Sequence, residues 1–131
     1  MGVVTKERQS AKIREIGQAL ANVGYTTVEQ QSMVLGISRS TAWTVLKSCH
    51  KASGLSANLI SRMLSAPGLP SAASEKITEY VRERLEGSYG HSTFQIRRFA
   101  TRVSCASQTA AEVVEKLRQE RVADGLSDHS H

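Results

Sequence analysis

The sequence predicts an all-α protein: a compact multi-helix domain with a C-terminal helical extension. Three observations predict it. Apolar residues recur at three- and four-residue spacing through most of the chain, the period of helices with one buried face. Proline occurs only at Pro67 and Pro70, and aromatic residues make up 5%, so little interrupts helices and little favours strands. No stretch alternates apolar and polar residues as a half-buried strand does. The chain has 131 residues, 40% hydrophobic and 22% charged, which suits one globular core and excludes a disordered chain.

The first helix is expected over residues 5–23, with Ile13, Ile16, Leu20 and Val23 inward and Lys6, Arg8, Lys12 and Arg14 on outer faces. Asn22-Val23-Gly24-Tyr25 closes it. Thr26 or Thr27 can cap a second helix, because Glu29 and Gln30 stand three residues later in capping-box spacing. Val28, Met33 and Leu35 are its core-facing residues. Gly36 stops it, since glycine takes the left-handed conformation without a Cβ clash. Ile37 plugs the corner, and the Ser38 hydroxyl can accept from the free N–H groups of a third helix. Ala42, Val45, Leu46 and Cys49 line the inner side of that helix.

A polar connector, His50 to Gly54, leads to a fourth helix from Ser56 to about Ser65, burying Leu59, Ile60, Met63 and Leu64. Ala66-Pro67-Gly68-Leu69-Pro70 is the strongest break in the chain. A fifth helix over about 71–86 carries Ile77, Tyr80, Val81 and Leu85 inward. Gly87 to His91 is a turn. Ser92 and Gln95 again have capping-box spacing and start a sixth helix through about Val103, with Phe94, Ile96, Phe99 and Val103 apolar. A seventh, Ala106 to about Arg121, bears a narrow stripe of Ala110, Val113, Val114 and Leu117. Three fates are open to it: to pack on the body, pair with a second copy, or fray. Disorder is expected beyond Val122. The chain thus divides into a helical domain, 1–104, and a C-terminal helix and tail, 105–131.

Charge narrows the function. Residues 1–55 carry a net +4 and residues 56–104 a net +3, whereas 105–131 carry −2, within a total of +5. A basic body with a mildly acidic tail suits a polyanionic partner. Cys49 and Cys105 are too few for a disulfide framework, lack metal-ligand spacing and are read as packing residues. No G-x-S-x-G, glycine-rich phosphate loop, H-E-x-x-H or apolar pair of carboxylates occurs, so neither an enzyme nor a cofactor or metal is expected. No apolar run approaches the roughly 20 residues of a membrane span, and the N-terminus lacks a signal-peptide core, so a cytoplasmic location is expected.

The stretch from Thr26 to Lys47 resembles the helix-turn-helix unit of bacterial repressors, carried by Gly36-Ile37-Ser38-Arg39-Ser40-Thr41 and by the small Ser32 four residues before the turn glycine. Gln31 departs from that pattern, which takes an apolar residue there. The helices from residue 5 to 86 resemble lambda-repressor-like domains. That resemblance implies binding to double-stranded DNA, usually as a homodimer. No small-molecule ligand is expected, because 131 residues leave no room for a separate ligand-binding domain.

On a helical projection, Ser40, Thr44, Lys47 and Lys51 gather opposite the apolar side of the third helix, with Arg39 and Trp43 at the flank. Arg39 is placed to reach a base edge, Ser38, Ser40 and Thr44 to reach bases or phosphates, and Lys47 and Lys51 to reach phosphates. Trp43 is read as a packing wedge in preference to a groove contact.

Gly54 to Leu64 echoes the turn and third helix, and with Pro67-Gly68-Leu69 and Glu75-Lys76-Ile77 it is similar to the end of a lac-repressor-family headpiece. In that register the fourth helix would read DNA. His50 then falls where close helix packing takes a small residue, so the first register is adopted and Arg62 is kept as a phosphate contact. Arg97, Arg98 and Arg102 either extend the DNA footprint or form a solvated face. The expected function is a sequence-specific DNA-binding regulator reading the major groove with residues 38–49. The alternatives are a DNA-binding accessory protein of a phage or mobile element, and a helical adaptor binding protein through the stripe of residues 106–121.

Overall fold

The computed structural model describes the backbone of residues 2–46 and 54–129, and side chains over 7–46 and 54–120. Within them the chain is all-helical, with no strand. The helices are α1 (Gly2–Asn22), α2 (Val28–Leu35), α3 (Arg39–Leu46), α4 (Ala57–Leu64), α5 (Ser71–Leu85), α6 (Thr93–Ala106) and α7 (Gln108–His129). No helix among the described residues is long and apolar enough to cross a membrane.

Each boundary has a local cause. Thr27 and Ser92 form capping boxes with Gln30 and Gln95, satisfying N–H groups that the first turns of α2 and α6 would leave open. Ser56 caps α4 by accepting from the Leu59 N–H at 3.1 Å. Gly24, at φ 106°, ends the α1 connection. A single residue, Ser107, separates α6 from α7. Its extended backbone breaks the helix, and its hydroxyl accepts from the Ala110 N–H at 3.1 Å. α6 therefore continues to Ala106, and α7 runs on to His129 where disorder was expected beyond Val122.

Buried residues from all seven helices join one hydrophobic cluster. Its centre includes Ile13, Ile16, Leu20, Leu35, Ile60, Met63, Ile77 and Val81, none of them exposed. α1 lies along α5, and α3 approaches α1 at Gly17, where an added Cβ would lie 3.5 Å from Leu46. α4 packs on α6 and α7. Of the three fates open to α7, its first turns take the inward one: Ala110, Val114 and Leu117 are buried in the common core.

Several apolar residues do not go where their chemistry alone would send them. Met33 is 81% exposed, because the buried side of α2 holds Gln31, Ser32 and Leu35, and Met33 lies about 160° to 200° from Gln31 and Leu35. Phe94 is 71% exposed, at the start of a helix whose buried residues are Phe99 and Val103. Trp43 is 56% exposed and is no wedge: it stands one residue off the line of Ala42, Val45 and Leu46. Val23 is also exposed, and Cys105 is an exposed free thiol in the last turn of α6 instead of a packing residue. Cys49 lies outside the described residues.

The seam between α1 and α5 is closed by charge. The Lys12 side chain is only 14% exposed, and its ammonium meets Glu83 at 3.0 Å, Glu79 at 3.1 Å and Glu15 at 3.5 Å. Lys76 meets Glu15 at 3.2 Å, and Arg8 meets Glu83 at 3.2 Å. Burial disfavours the Lys12 charge, but hydrogen bonds to Glu83 and Glu79 and the nearby negative charges outweigh it, raising its pKa from 10.5 to about 12. The hydrogen bond from Lys12 lowers the pKa of Glu79, and the one to Glu15 raises that of Lys76. Burial raises both Tyr80 and Tyr89.

These directions predict a stability plateau with two limbs. Lys12 contributes stability that is complete below pH 10.5, where the unfolded chain still holds the proton, and that is lost as the pH rises to about 12. Raised Tyr80 and Tyr89 add loss in the same direction, above their ordinary value of 10.0. Glu79, lowered, contributes stability present above 4.5 and lost as the pH falls through its folded value. Urea unfolding followed across pH is expected to show both limbs. Lys12→Met should remove the lysine share of the alkaline limb, leave the share of the two tyrosines, and cost about 2 kcal/mol at neutral pH.

Candidate nucleic-acid interface

The corner between α2 and α3 is built as its residues require. Gly36 sits at φ 69°, ψ 29°, and its N–H bonds back to the Met33 and Ser32 carbonyls. A Cβ there would also come within 3.1 Å of the Ala66 Cβ, just past α4, so glycine meets both a backbone and a packing demand. Ile37 is buried in the corner. Gln31, the polar departure, is buried because its amide donates to the Tyr25 carbonyl at 2.8 Å. Ser32 is likewise buried, bonding the Glu29 carbonyl at 2.8 Å.

Of the expected contact residues on α3, Arg39, Ser40 and Thr44 are exposed beside Trp43, opposite Ala42 and Val45. Arg39 is engaged across the corner with Glu29 at 3.2 Å, with both side chains well exposed. Such a pair contributes at most about 1 kcal/mol and exchanges readily with another anion. The Ser38 hydroxyl is used by the fold: it accepts from the Thr41 N–H at 3.2 Å and donates to the Thr41 Oγ1 at 2.8 Å. Thr44 donates its hydroxyl to the Ser40 carbonyl at 3.0 Å. Lys47 and Lys51 lie outside the described residues.

The segment Gly54–Ser56, leading into α4, has a recess on either side. One lies between α3 and α4, walled by Ser40, Thr41 and Thr44 against Ser56 and Leu59. The other, of about 300 Å³, lies between the amino end of α4 and α6, lined by Arg84, His91, Gln95, Arg98 and Arg102. Among the described residues, no carboxylate lines either one. Arg98 and Arg102 are exposed, stand one turn apart on the same wall, and form no ion pair among the described residues. Arg97, one residue off that line, faces instead a groove between α5, α6 and α7 with Leu85, Glu86 and Leu117. The basic helix is therefore split between two faces. Arg62 is exposed in the last turn of α4, about 9 Å along the axis from the end that the recesses share.

What holds Gly54–Ser56 in place is a buried polar network. The Tyr80 hydroxyl donates to Gln9 Oε1 at 2.8 Å and accepts from the Leu55 N–H at 3.0 Å and from Arg84 Nη1 at 3.1 Å. Arg84 Nη1 also donates to the Leu55 carbonyl. The guanidinium lies 3.8 Å over the Phe99 ring, and Tyr89 stacks on Tyr80 with centroids 5.4 Å apart. Gly54 passes so close that a Cβ would fall 2.1 Å from Gln9 Oε1 and 2.3 Å from the Tyr80 hydroxyl, at φ 78°.

Sequence reasoning missed Gln9, Arg84 and Tyr89. The first two continue apolar stripes at helical spacing, Gln9 four residues before Ile13 and Arg84 four after Tyr80. Their polar chemistry conceals a position that the period alone identifies. Among the described residues, no group of three or more His, Cys, Asp or Glu could hold a metal ion. No protein-family model, curated protein or solved structure matches the chain.

The network makes Gly54 and Gly24 unequal. Gly24→Ala meets nothing within 4 Å and should cost only the left-handed backbone, roughly 1 kcal/mol. Gly54→Ala must also displace Gln9 or Tyr80 and should cost about 3 kcal/mol or more. Tyr80→Phe, which removes the shared hydroxyl, should cost about 1–3 kcal/mol. Urea-unfolding midpoints of the three variants measure the order.

Proposed function

We propose that this chain binds double-stranded DNA sequence-specifically and acts as a transcriptional regulator, with the outer face of α3 in the major groove. One observation carries the reading. The exposed polar face of α3 adjoins the amino end of α4 and then Arg98 and Arg102 of α6, and among the described residues no carboxylate lines the recesses between them. Glu15 of α1 and Glu79 and Glu83 of α5 are gathered with Lys12, Lys76 and Arg8 at the α1–α5 seam. A duplex presents a line of phosphates beside its grooves, and uncompensated arginines next to a helix with small polar residues complement it.

The roles follow from reach and chemistry. Arg39 exchanges Glu29 for a guanine edge, the commonest specific contact of arginine. Ser40 and Thr44 are short enough to let the helix sit close to the bases. Lys47 and Lys51 neutralise phosphates, and Arg98 grips the backbone beside them. Arg97 faces the groove between α5, α6 and α7, and Arg62 stands in the last turn of α4, so neither is assigned a contact with the duplex. Ser38 acts through the fold by capping α3. The likeness of residues 26–47 to repressor helix-turn-helix units supports this assignment and brings with it a homodimer on two half-sites, about 34 Å apart along the duplex.

Gel-shift titration of the full chain against random duplex at two salt concentrations tests the reading. Binding at low salt is expected, weakening as salt rises. Lys47→Ala should lower the slope of log affinity against log salt by about 1. Arg39→Ala should cost about 1–3 kcal/mol on the preferred sequence selected from a random pool, and little on other sequences. Absence of binding at low salt, or binding that both substitutions leave unchanged, overturns the proposal.

A further inference from the structure

We propose that the recess between the amino end of α4 and α6 is a site for a single phosphate group. The first argument is Arg84. It is 9% exposed, yet it has no carboxylate partner among the described residues. Both of its hydrogen bonds leave from Nη1, to the Leu55 carbonyl and the Tyr80 hydroxyl, while Nε is buried without an acceptor. A buried cation with neutral partners and an aromatic face is only partly compensated, and an anion in the recess it lines would complete the compensation.

The second argument is independent of the first. Ser56 and Ala57, at the amino end of α4, line the same recess. The Ser56 hydroxyl satisfies only the Leu59 N–H, which leaves those of Ala57 and Asn58 without an acceptor inside the helix. A helix terminus of this kind favours anions through its free N–H groups and its dipole. Arg98 and Arg102 add two exposed guanidinium groups on the opposite wall, and Gln95 adds an amide. Planar donor forks around a tetrahedral oxyanion match a phosphate better than a halide.

The chemistry is shared by a backbone phosphodiester of bound duplex and by free phosphate or a phosphomonoester. The first source rests on the DNA-binding reading, and the second does not. Calorimetric titration of the full chain with inorganic phosphate, at ionic strength held constant with sodium chloride, is the first arm. Saturable binding is expected, with Arg98→Gln and Arg102→Gln each weakening it about tenfold, and Arg84→Lys weakening it as well if that variant folds. Because Arg98 and Arg102 are exposed, their variants decide the matter even if Arg84 proves indispensable to folding.

Duplex DNA in place of phosphate is the second arm. Duplex binding that phosphate displaces and Arg102→Gln weakens assigns the site to the DNA backbone. Saturable phosphate binding without duplex binding assigns it to free phosphate or a phosphomonoester, and removes the DNA-binding reading alone. No phosphate binding beyond the sodium chloride control overturns the site, and duplex binding by the same unsubstituted chain then leaves the DNA-binding reading standing.

Discussion

The hydroxyl of Tyr80 makes three hydrogen bonds, to groups that lie 71, 25 and 4 residues away in the chain: Gln9 of α1, the Leu55 backbone and Arg84. Buried groups of this kind must be satisfied together, since each one left open costs about 1–3 kcal/mol. The consequence is positional. The segment that enters α4 is pinned to the α1–α5 pair by its own N–H and carbonyl, and Gly54 is squeezed against the same hydroxyl. The direction of α4, and with it the two recesses beside its amino end, is set by this one node.

Charge is distributed around the node in two different ways. On the α1–α5 seam, acids and bases are interleaved, and Lys12 bridges three glutamates in a partly enclosed setting. On the side of α3, α4 and α6, the exposed arginines of α6 have no acid within 4 Å among the described residues, and Arg84 beneath them is held by neutral groups. The first arrangement closes the protein on itself. The second leaves positive potential at a polar surface, which is the physical basis for reading that surface as one that meets phosphate.

Local features agree with the sequence because their causes are local. The capping boxes at Thr27 and Ser92, the Ser56 cap and the left-handed Gly36 each depend on atoms within a few residues, and all stand where spacing placed them. The apolar members of the inner lines of α4 and α5, Ile60 and Met63, or Ile77 and Val81, follow from period alone, whereas Arg84 on the same α5 line does not. The stripe on α7 was equally clear, but which surface it would meet was not, because an apolar stripe specifies burial without specifying a partner.

The candidate site divides along the same boundary. Sequence by itself determined an all-helical chain, the α2–turn–α3 corner, and the exposed face of α3 with Arg39, Ser40 and Thr44, since all of these follow from helical period and turn chemistry. Only the tertiary structure decided that Arg98 and Arg102 share a wall with α4 while Arg97 does not, that Gln9 and Arg84 go inside, and that Met33, Trp43 and Phe94 stay outside. The reason is that a side chain is buried by the helices that pack over it. A short helix such as α2 or α3 offers its neighbours one narrow side, so a residue about 100° away remains in water whatever its hydrophobicity. A polar residue that falls on the covered side is kept there when partners distant in sequence, such as Tyr80 for Gln9, satisfy its hydrogen bonds.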